Sequence, residues 1–234
     1  STIDMLSRYR GLPTNAWLEE IISNLEYRFG IKPNSENLIS FEQNDQLKGL
    51  ENLSGLIDAV MNHTTLSVHY KTYKGVEFIH TIYPYYIKEY NNRWFLFGMG
   101  EEVGDVENLA LDRIVEYSIS NKSFKPNVTT DFSTYFDDVI GVSKPKSDVK
   151  VENIKLRFTD NRFPYVLSKP LHHTQTIVEG ESNTIQIEVR PTRELDQIIF
   201  SFIPDIEVLS PDWYRASITE KIKENLEKYS SMKV

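Results

Sequence analysis

The chain has 234 residues, of which 40% are hydrophobic and 26% charged, and its formal net charge is −8. The length predicts one long domain or two small ones, and the composition excludes disordered, collagen-like and coiled-coil chains. The absence of cysteine excludes disulfides, thiolate zinc sites and a cysteine nucleophile. Domains that grip duplex DNA usually carry a basic excess, so this acidic chain is not expected to hold a duplex alone. Its apolar runs are too short to span a bilayer and it lacks a signal pattern, which predicts a cytoplasmic protein without membrane contact.

Residues 1–63 are predicted to form a helical linker. Apolar residues recur at helical spacing over residues 3–29, which predicts two helices broken near Pro13, and a third helix is expected over residues 50–62. The apolar faces of the first two helices are the expected contact of a homodimer. Because the helical pattern begins directly at Ser1, we also expect that an upstream segment has been removed.

Residues 64–120 change to a period of two, which predicts short antiparallel strands. Pro84 lies inside the longest of them, which indicates an edge strand or a bulge. Strands of this length suit a small β-barrel. The first strand is expected to begin at Leu66, and the second to run from Val76 towards Tyr90 after a turn at Lys74-Gly75. The third is expected over Arg93–Met99 after a tight turn at Asn91-Asn92, and the fourth over Leu109–Ile119.

The remaining residues are predicted to form a connector and a second domain. The connector, residues 121–150, is expected to hold one short helix near Tyr135–Val139. Residues 151–234 show a βαββαβ order followed by a helix, which is typical of a ferredoxin-like unit. The fold class expected for the whole chain is therefore α+β. The seven elements are expected at Ile154–Thr159, Arg162–Ser168, Gln175–Glu179, Thr184–Pro191, Arg193–Phe202, Ile206–Ser210 and Trp213–Tyr229.

Three short segments follow one another between Leu66 and Ser120: Tyr83–Lys88, Asn91–Leu96 and Leu111–Ile114. Together they resemble the WYL domain family. The name-giving Trp-Tyr-Leu triplet of that family corresponds here to Trp94-Phe95-Leu96, in which phenylalanine keeps the ring and loses the hydroxyl. The βαββαβ tail looks like the C-terminal extension, called WCX, that accompanies such domains.

The resemblance implies both a fold and a function. WYL domains are SH3/Sm-like barrels that sense a ligand, nucleic acid in several cases, within bacterial transcription regulators that carry an N-terminal winged helix-turn-helix. By this resemblance the chain is expected to be an effector-sensing region that binds an anionic ligand, such as a nucleotide or a short single strand. Duplex DNA would be bound only through a missing N-terminal domain.

Two histidines are candidates for the ligand face. If the first hairpin closes at Lys74-Gly75, opposed residues have numbers that sum to 149, which places His69 opposite His80. Such a pair could hold a metal with a third ligand, accept a phosphate when protonated, or be two strand histidines without a ligand. Relatives often carry arginine where His80 stands, which favours a weakly basic pocket.

Arg93 and Arg113 are the only arginines of the barrel segment, and they are its best candidates for binding an anion, because a guanidinium suits phosphate recognition. The alternative is that Asp112 beside Arg113 and Glu89 near Arg93 form ordinary ion pairs. Arginines that the family often carries before its Leu-Asp-Arg-Ile string are here Glu107 and Ala110, which lowers the expected affinity for nucleic acid.

Aromatic residues are dense in the same segment and could stack on bases, with Tyr70 and Tyr83 as the candidates, whereas Trp94 is expected in the core. The sequence contains no recognisable catalytic motif, so we expect binding rather than catalysis, with no cofactor and no bound metal. Two other functions stay open: a protein-interaction or dimerisation module without a small ligand, and a metal-dependent nucleotide hydrolase.

Overall fold

The computed structural model describes residues 48–145 and 148–230. The helices predicted over residues 3–29, and with them the predicted dimer contact, lie outside this range. Contacts divide the chain into two units, one ending at Val128 and the other beginning at Thr129. We call them the N-terminal unit and the C-terminal unit. No helix in the described range is long and apolar enough to span a membrane.

The N-terminal unit is a five-stranded antiparallel sheet with one helix. A 3-10 turn at Leu50–Asn52 leads into helix α1, Leu53–Met61. The strands lie side by side in the sheet in the order β4-β3-β2-β1-β5. Their bounds are Leu66–Lys71 for β1, Glu77–Tyr90 for β2, Arg93–Gly100 for β3, Val106–Ala110 for β4 and Ile114–Ile119 for β5.

One predicted strand, Leu109–Ile119, is wrong. A 3-10 turn at Leu111–Arg113 separates β4 from β5. These two strands lie at opposite edges of the sheet, so one continuous strand could not supply both. Leu111 is buried in the turn and lies so close to Gly49 that a Cβ at residue 49 would overlap its carbonyl group. The chain thus crosses from one edge of the sheet to the other at this turn.

One face of the sheet and α1 enclose the core of this unit. Leu56 of α1 is fully buried, as are Val68 of β1, Ile82 of β2 and Leu96 of β3. Trp94 is partly buried and packs against the same cluster. Because alternate residues of a strand point to opposite faces, this core identifies which side chains share its face.

The pairing of β1 with β2 corrects the predicted register. The two strands are joined by a three-residue loop, Tyr73–Gly75, in which Gly75 is left-handed at φ 79°. Opposed residues therefore have numbers that sum to 148: His80 faces Val68, and His69 faces Ile79. Since a shift of one residue moves a side chain to the other face, the two histidines lie on opposite faces and cannot form the predicted pair.

Two other turn signals of this unit are confirmed. Asn91 and Asn92 both have left-handed backbones, with φ of 51° and 60°, as a tight β2–β3 turn requires. The register between β2 and β3 shifts at Pro84, so the proline lies at a bulge of a central strand.

The C-terminal unit has the predicted element order. Its strands are β6 at Glu152–Phe158, β7 at Thr176–Ile177, β8 at Thr184–Val189 and β9 at Ile206–Ser210, and its helices are α2 at Phe163–Ser168, α3 at Arg193–Ser201 and α4 at Asp212–Ser230. The antiparallel sheet has the order β7-β8-β6-β9. Thr192 caps α3 by accepting a hydrogen bond from the Leu195 amide at 3.3 Å.

The core of the C-terminal unit includes fully buried Ile154, Leu156 and Ile187, and Tyr214 and Ile218 of α4 pack against it. The short helix predicted near Tyr135–Val139 is wrong, because the described residues there form turns. The α+β class is confirmed, while the SH3/Sm-like and ferredoxin-like names stay predictions.

The conformation of Gly75 predicts how the hairpin responds to substitution. A Cβ at residue 75 would meet no atom within 4 Å, so only its positive φ penalises a side chain. We expect Gly75→Ala to lower the free energy of unfolding by about 1 kcal/mol, because L-residues disfavour the left-handed region. Gly75→Asn should cost clearly less, because asparagine tolerates that region. Urea unfolding of both variants measures the difference, and equal losses would contradict the explanation.

Candidate functional site

Arg113 stacks on two tyrosines of the first hairpin. Its guanidinium carbon lies 4.3 Å from the ring centre of Tyr73 and 5.3 Å from that of Tyr70. Tyr73 is 73% exposed, whereas Tyr70 is buried and its hydroxyl accepts a hydrogen bond from the Ala110 amide at 3.3 Å. The Nε of Arg113 is buried without a hydrogen-bond partner in the described part of the chain. This donor therefore lacks an acceptor among the described residues.

Arg93 lies beside the same tyrosine but is held by a carboxylate. One guanidinium nitrogen donates to both oxygens of Asp112 at 2.8 Å, and the guanidinium carbon is 5.6 Å from the Tyr73 ring centre. Burial opposes the charge of Arg93, but the hydrogen bond and charge of Asp112 outweigh it and raise the pKa of Arg93. An ion pair is thus present, but Asp112 pairs with Arg93 and not with its neighbour Arg113. Glu89 accepts a hydrogen bond from the backbone amide of Asn92.

His80 faces the core and is paired with Glu107. Its Nδ1 lies 3.3 Å from Oε2 of Glu107, and its side chain is 7% exposed. Its Nε2 is buried and has no hydrogen-bond partner within the described ranges. Burial raises the pKa of Glu107, the charge of His80 opposes that rise, and Glu102 adds to it. The pair is a buried polar contact on the face that also carries Val68 and Ile82.

A glycine makes room for this carboxylate. Glu107 of β4 faces Gly98 of β3, and a Cβ built at Gly100 would overlap Oε2 of Glu107. The absence of a side chain at residue 100 therefore lets the Glu107 carboxylate reach His80.

Phe78 connects the two parts of the site. Its ring centre lies 5.6 Å from that of Tyr70 and 4.9 Å from the imidazole of His80. The cluster of Arg93, Arg113, Tyr70, Tyr73, Phe78 and His80 is called the arginine–tyrosine cluster below.

Two predicted site residues lie elsewhere. His69 is on the opposite face of the sheet, where its Nε2 is 3.1 Å from Glu77 and its Nδ1 is 3.9 Å from Glu116. Tyr83 is 1% exposed, with Lys125 at 5.0 Å from its ring centre and Phe124 packed edge-on. A base cannot stack on a ring that the protein already covers.

Sequence reasoning missed Tyr73 as a platform for Arg113 and Glu107 as a partner of His80. The length of the β1–β2 loop decides where Tyr73 lies, and with three residues the Tyr73 ring comes within 4.3 Å of the Arg113 guanidinium carbon. Within the described residues no cluster of three or more histidine and carboxylate side chains could hold a metal ion. The alternative of a metal bound by the predicted histidine pair is therefore not supported by this geometry.

Comparison with known families identifies the two units. Residues 51–119 match the family model of the WYL domain, and residues 150–226 match that of the WCX domain. The chain is a WYL-domain protein with a WCX domain. The WYL match begins in the 3-10 turn before α1, so it includes that helix. The arginine–tyrosine cluster lies entirely within the WYL domain, and helices α2, α3 and most of α4 lie within the WCX domain.

Two solved structures are similar to this WYL–WCX chain at low identity. Proteasome accessory factor B/C (PafBC) of Arthrobacter aurescens is 15% identical, with 98% of this chain and 35% of that chain covered and a TM-score of 0.34. A CRISPR Cas-related protein is 14% identical, with 78% and 52% covered and a TM-score of 0.49. The chain spans about a third and about half of the lengths of these two proteins. No curated protein matches it.

The raised pKa of Glu107 predicts a pH-dependent effect of Glu107→Gln. A carboxyl whose folded pKa lies above the ordinary value of 4.5 favours folding at low pH, and this contribution is lost as the pH rises through the folded pKa. As the pH rises from 4 to 7, we therefore expect the free energy of unfolding of the variant to increase relative to that of the wild type. Urea unfolding at both pH values measures the two differences.

Glu77→Gln is the matched control, because the hydrogen bond from Lys71 lowers the pKa of Glu77. A lowered folded pKa contributes stability at high pH that is lost on acidification, so this variant should lose stability relative to the wild type over the same interval. The same sign for both variants would contradict the assignment.

Proposed function

We propose that this chain is the effector-sensing region of a bacterial WYL-type transcription regulator. In this proposal the WYL domain binds an anionic ligand, such as a nucleotide or a short single-stranded nucleic acid, and no covalent chemistry follows. The two family matches support a regulatory sensing role, and the arginine–tyrosine cluster supports the chemical class of the ligand.

The observation that carries the proposal is the state of Arg113. A buried charged donor without a partner is costly, of the order of 1–3 kcal/mol or more, unless something else supplies an acceptor. A phosphate or carbonyl oxygen of a ligand would satisfy Nε of Arg113. The stacked tyrosines hold the guanidinium in one plane, so little side-chain freedom is lost on binding.

The exposed ring of Tyr73 supports a ligand that contains a base. Only part of that ring is covered by Arg113, since Tyr73 is 73% exposed. Stacking of a base on an aromatic side chain contributes about 1–3 kcal/mol. Arg113 would therefore bind a phosphate while Tyr73 stacks on a neighbouring base. Tyr70 would hold the Arg113 guanidinium in place, and Arg93 would lie beside Tyr73.

The charge balance of the cluster supports a short ligand. Asp112 offsets Arg93, whereas no carboxylate of the described residues forms an ion pair with Arg113. With one or two phosphates neutralised, the logarithm of affinity should fall with the logarithm of salt at a slope of about −1. This is far shallower than for proteins that grip long stretches of nucleic acid.

Ligand binding would act by shifting an equilibrium. A ligand that binds one arrangement of two subunits more tightly than another favours that arrangement. In the proposal the subunits form a homodimer, and the shift repositions the DNA-binding domains of the regulator. Duplex DNA would then be bound by those domains and not by the acidic chain described above.

Loss of Arg113 should abolish most of the binding. We expect labelled single-stranded DNA or RNA to bind saturably in fluorescence anisotropy, more tightly at about 50 mM than at about 150 mM salt. Arg113→Ala should weaken binding about tenfold or more, because a charge-assisted hydrogen bond is lost. Arg157→Ala, which removes an exposed arginine of the C-terminal unit, is the matched control and should leave binding unchanged.

An equal loss in both arginine variants would indicate a general charge effect and contradict the site. No binding at either salt would remove single strands as ligands. Titration with mononucleotides would then test the smaller ligand, and failure there too would leave a protein-interaction module as the better function.

The Arg93–Asp112 pair gives a second test with the opposite sign. Asp112→Asn removes a negative charge from the cluster and frees Arg93 for a phosphate. We expect affinity for the same labelled strand to rise roughly threefold at low salt and the gain to shrink at higher salt. Asp58→Asn, which neutralises an exposed aspartate of α1, is the control. Weaker binding by Asp112→Asn would instead mean that the carboxylate orients Arg93 for the ligand.

A further inference from the structure

A cavity of about 670 Å³ lies in the C-terminal unit, between helices α3 and α4. Small-molecule sites in proteins usually have volumes of about 300–1,000 Å³, so this cavity has the size of a metabolite site. It is formed wholly by residues of the WCX domain and the residue before it. What it binds is therefore independent of the arginine–tyrosine cluster in the other unit.

Two aromatic rings on its wall are left partly uncovered. Trp213 is 52% exposed and Phe200 is 37% exposed, and both line the cavity together with Pro191. Large aromatic side chains release substantial free energy when their surface is removed from water. A planar apolar ligand body would cover both rings at once.

The polar groups on the inner side of the cavity already satisfy one another. Oδ1 of Asp196 accepts from the Tyr214 hydroxyl at 2.7 Å, and Oδ2 accepts from Nζ of Lys221 at 2.5 Å. Burial, with the hydrogen bond to Asp196, raises the pKa of Tyr214, so its hydroxyl stays protonated as a donor. The charges of Asp196 and Lys221 cancel, and this part of the lining is effectively neutral.

Arg193 is the remaining charged residue of the lining. It begins α3, directly after the capping Thr192, and no described residue forms an ion pair or hydrogen bond with its side chain. The lining thus combines one uncompensated cation with two uncovered aromatic rings. A ligand that complements both features has a planar apolar body and one acidic group.

We propose that this cavity binds a small aromatic carboxylate, whose ring packs on Trp213 and Phe200 and whose carboxylate pairs with Arg193. The WCX domain would then carry a metabolite site of its own. A regulator with two such units could respond to two different chemical signals.

The test uses the full chain with 2-naphthoate as probe and its neutral analogue 2-naphthamide, measured by equilibrium dialysis. We expect saturable binding of 2-naphthoate below about 1 mM. Arg193→Gln should raise its Kd about tenfold and leave the Kd of 2-naphthamide unchanged. Trp213→Ala should raise both Kd values, because stacking is lost for both probes. Circular dichroism verifies that these exposed substitutions leave the fold intact.

Two control variants locate the effect. Arg157→Gln removes an exposed arginine of the same unit that does not line the cavity, and Arg113→Ala removes the arginine of the WYL cluster. Neither should change the Kd of 2-naphthoate. The proposal is overturned by the absence of saturable binding, by equal effects of Arg157→Gln and Arg193→Gln, or by loss of binding only in Arg113→Ala. That last result would leave the proposed function of the WYL domain standing.

Discussion

The loop between β1 and β2 decides which side chains of the WYL domain meet at the site. Because the loop has three residues, Val68, Tyr70 and His80 lie on the face that α1 covers, and His69 lies on the other. A two-residue loop at Lys74-Gly75 would place His69 and His80 opposite each other on one face. The left-handed conformation of Gly75 therefore determines, from one end of the hairpin, the composition of a site several residues away.

The site has a mixed electrostatic character that follows from its carboxylates. Asp112 holds Arg93 in place, and Glu107 occupies the side of His80 that faces β4. Arg113 has tyrosine rings as neighbours in place of a carboxylate. Aromatic rings attract a guanidinium without neutralising its charge, so this arginine keeps its capacity to bind an anion. An acidic chain can in this way carry a cationic side chain that no described carboxylate neutralises, despite a net charge of −8.

Much of the secondary structure could be predicted because its signals are local. The left-handed Asn91-Asn92 turn, the bulge at Pro84 and the βαββαβ order all follow from residues close together in the chain. Arg93 and Arg113 could also be named, since the segment has no other arginine. The arrangement of side chains could not, because it depends on the pairing of strands. Asp112 forms its ion pair with Arg93 and not with its neighbour Arg113 because of the turn between β4 and β5. The cavity of the WCX domain is formed by two helices that are separate in sequence.

The space at Gly100 couples two positions that are distant in sequence. Any side chain at residue 100 would meet the carboxylate of Glu107 and displace it from His80, so a change at residue 100 alters the partner of that imidazole. Shortening residue 107 would permit a larger residue at 100, and a longer cation at 107 would require that glycine to remain. Among related sequences these two positions are thus expected to covary. A lineage that exchanged the acidic residue for a basic one would reach a more cationic site without rebuilding the sheet.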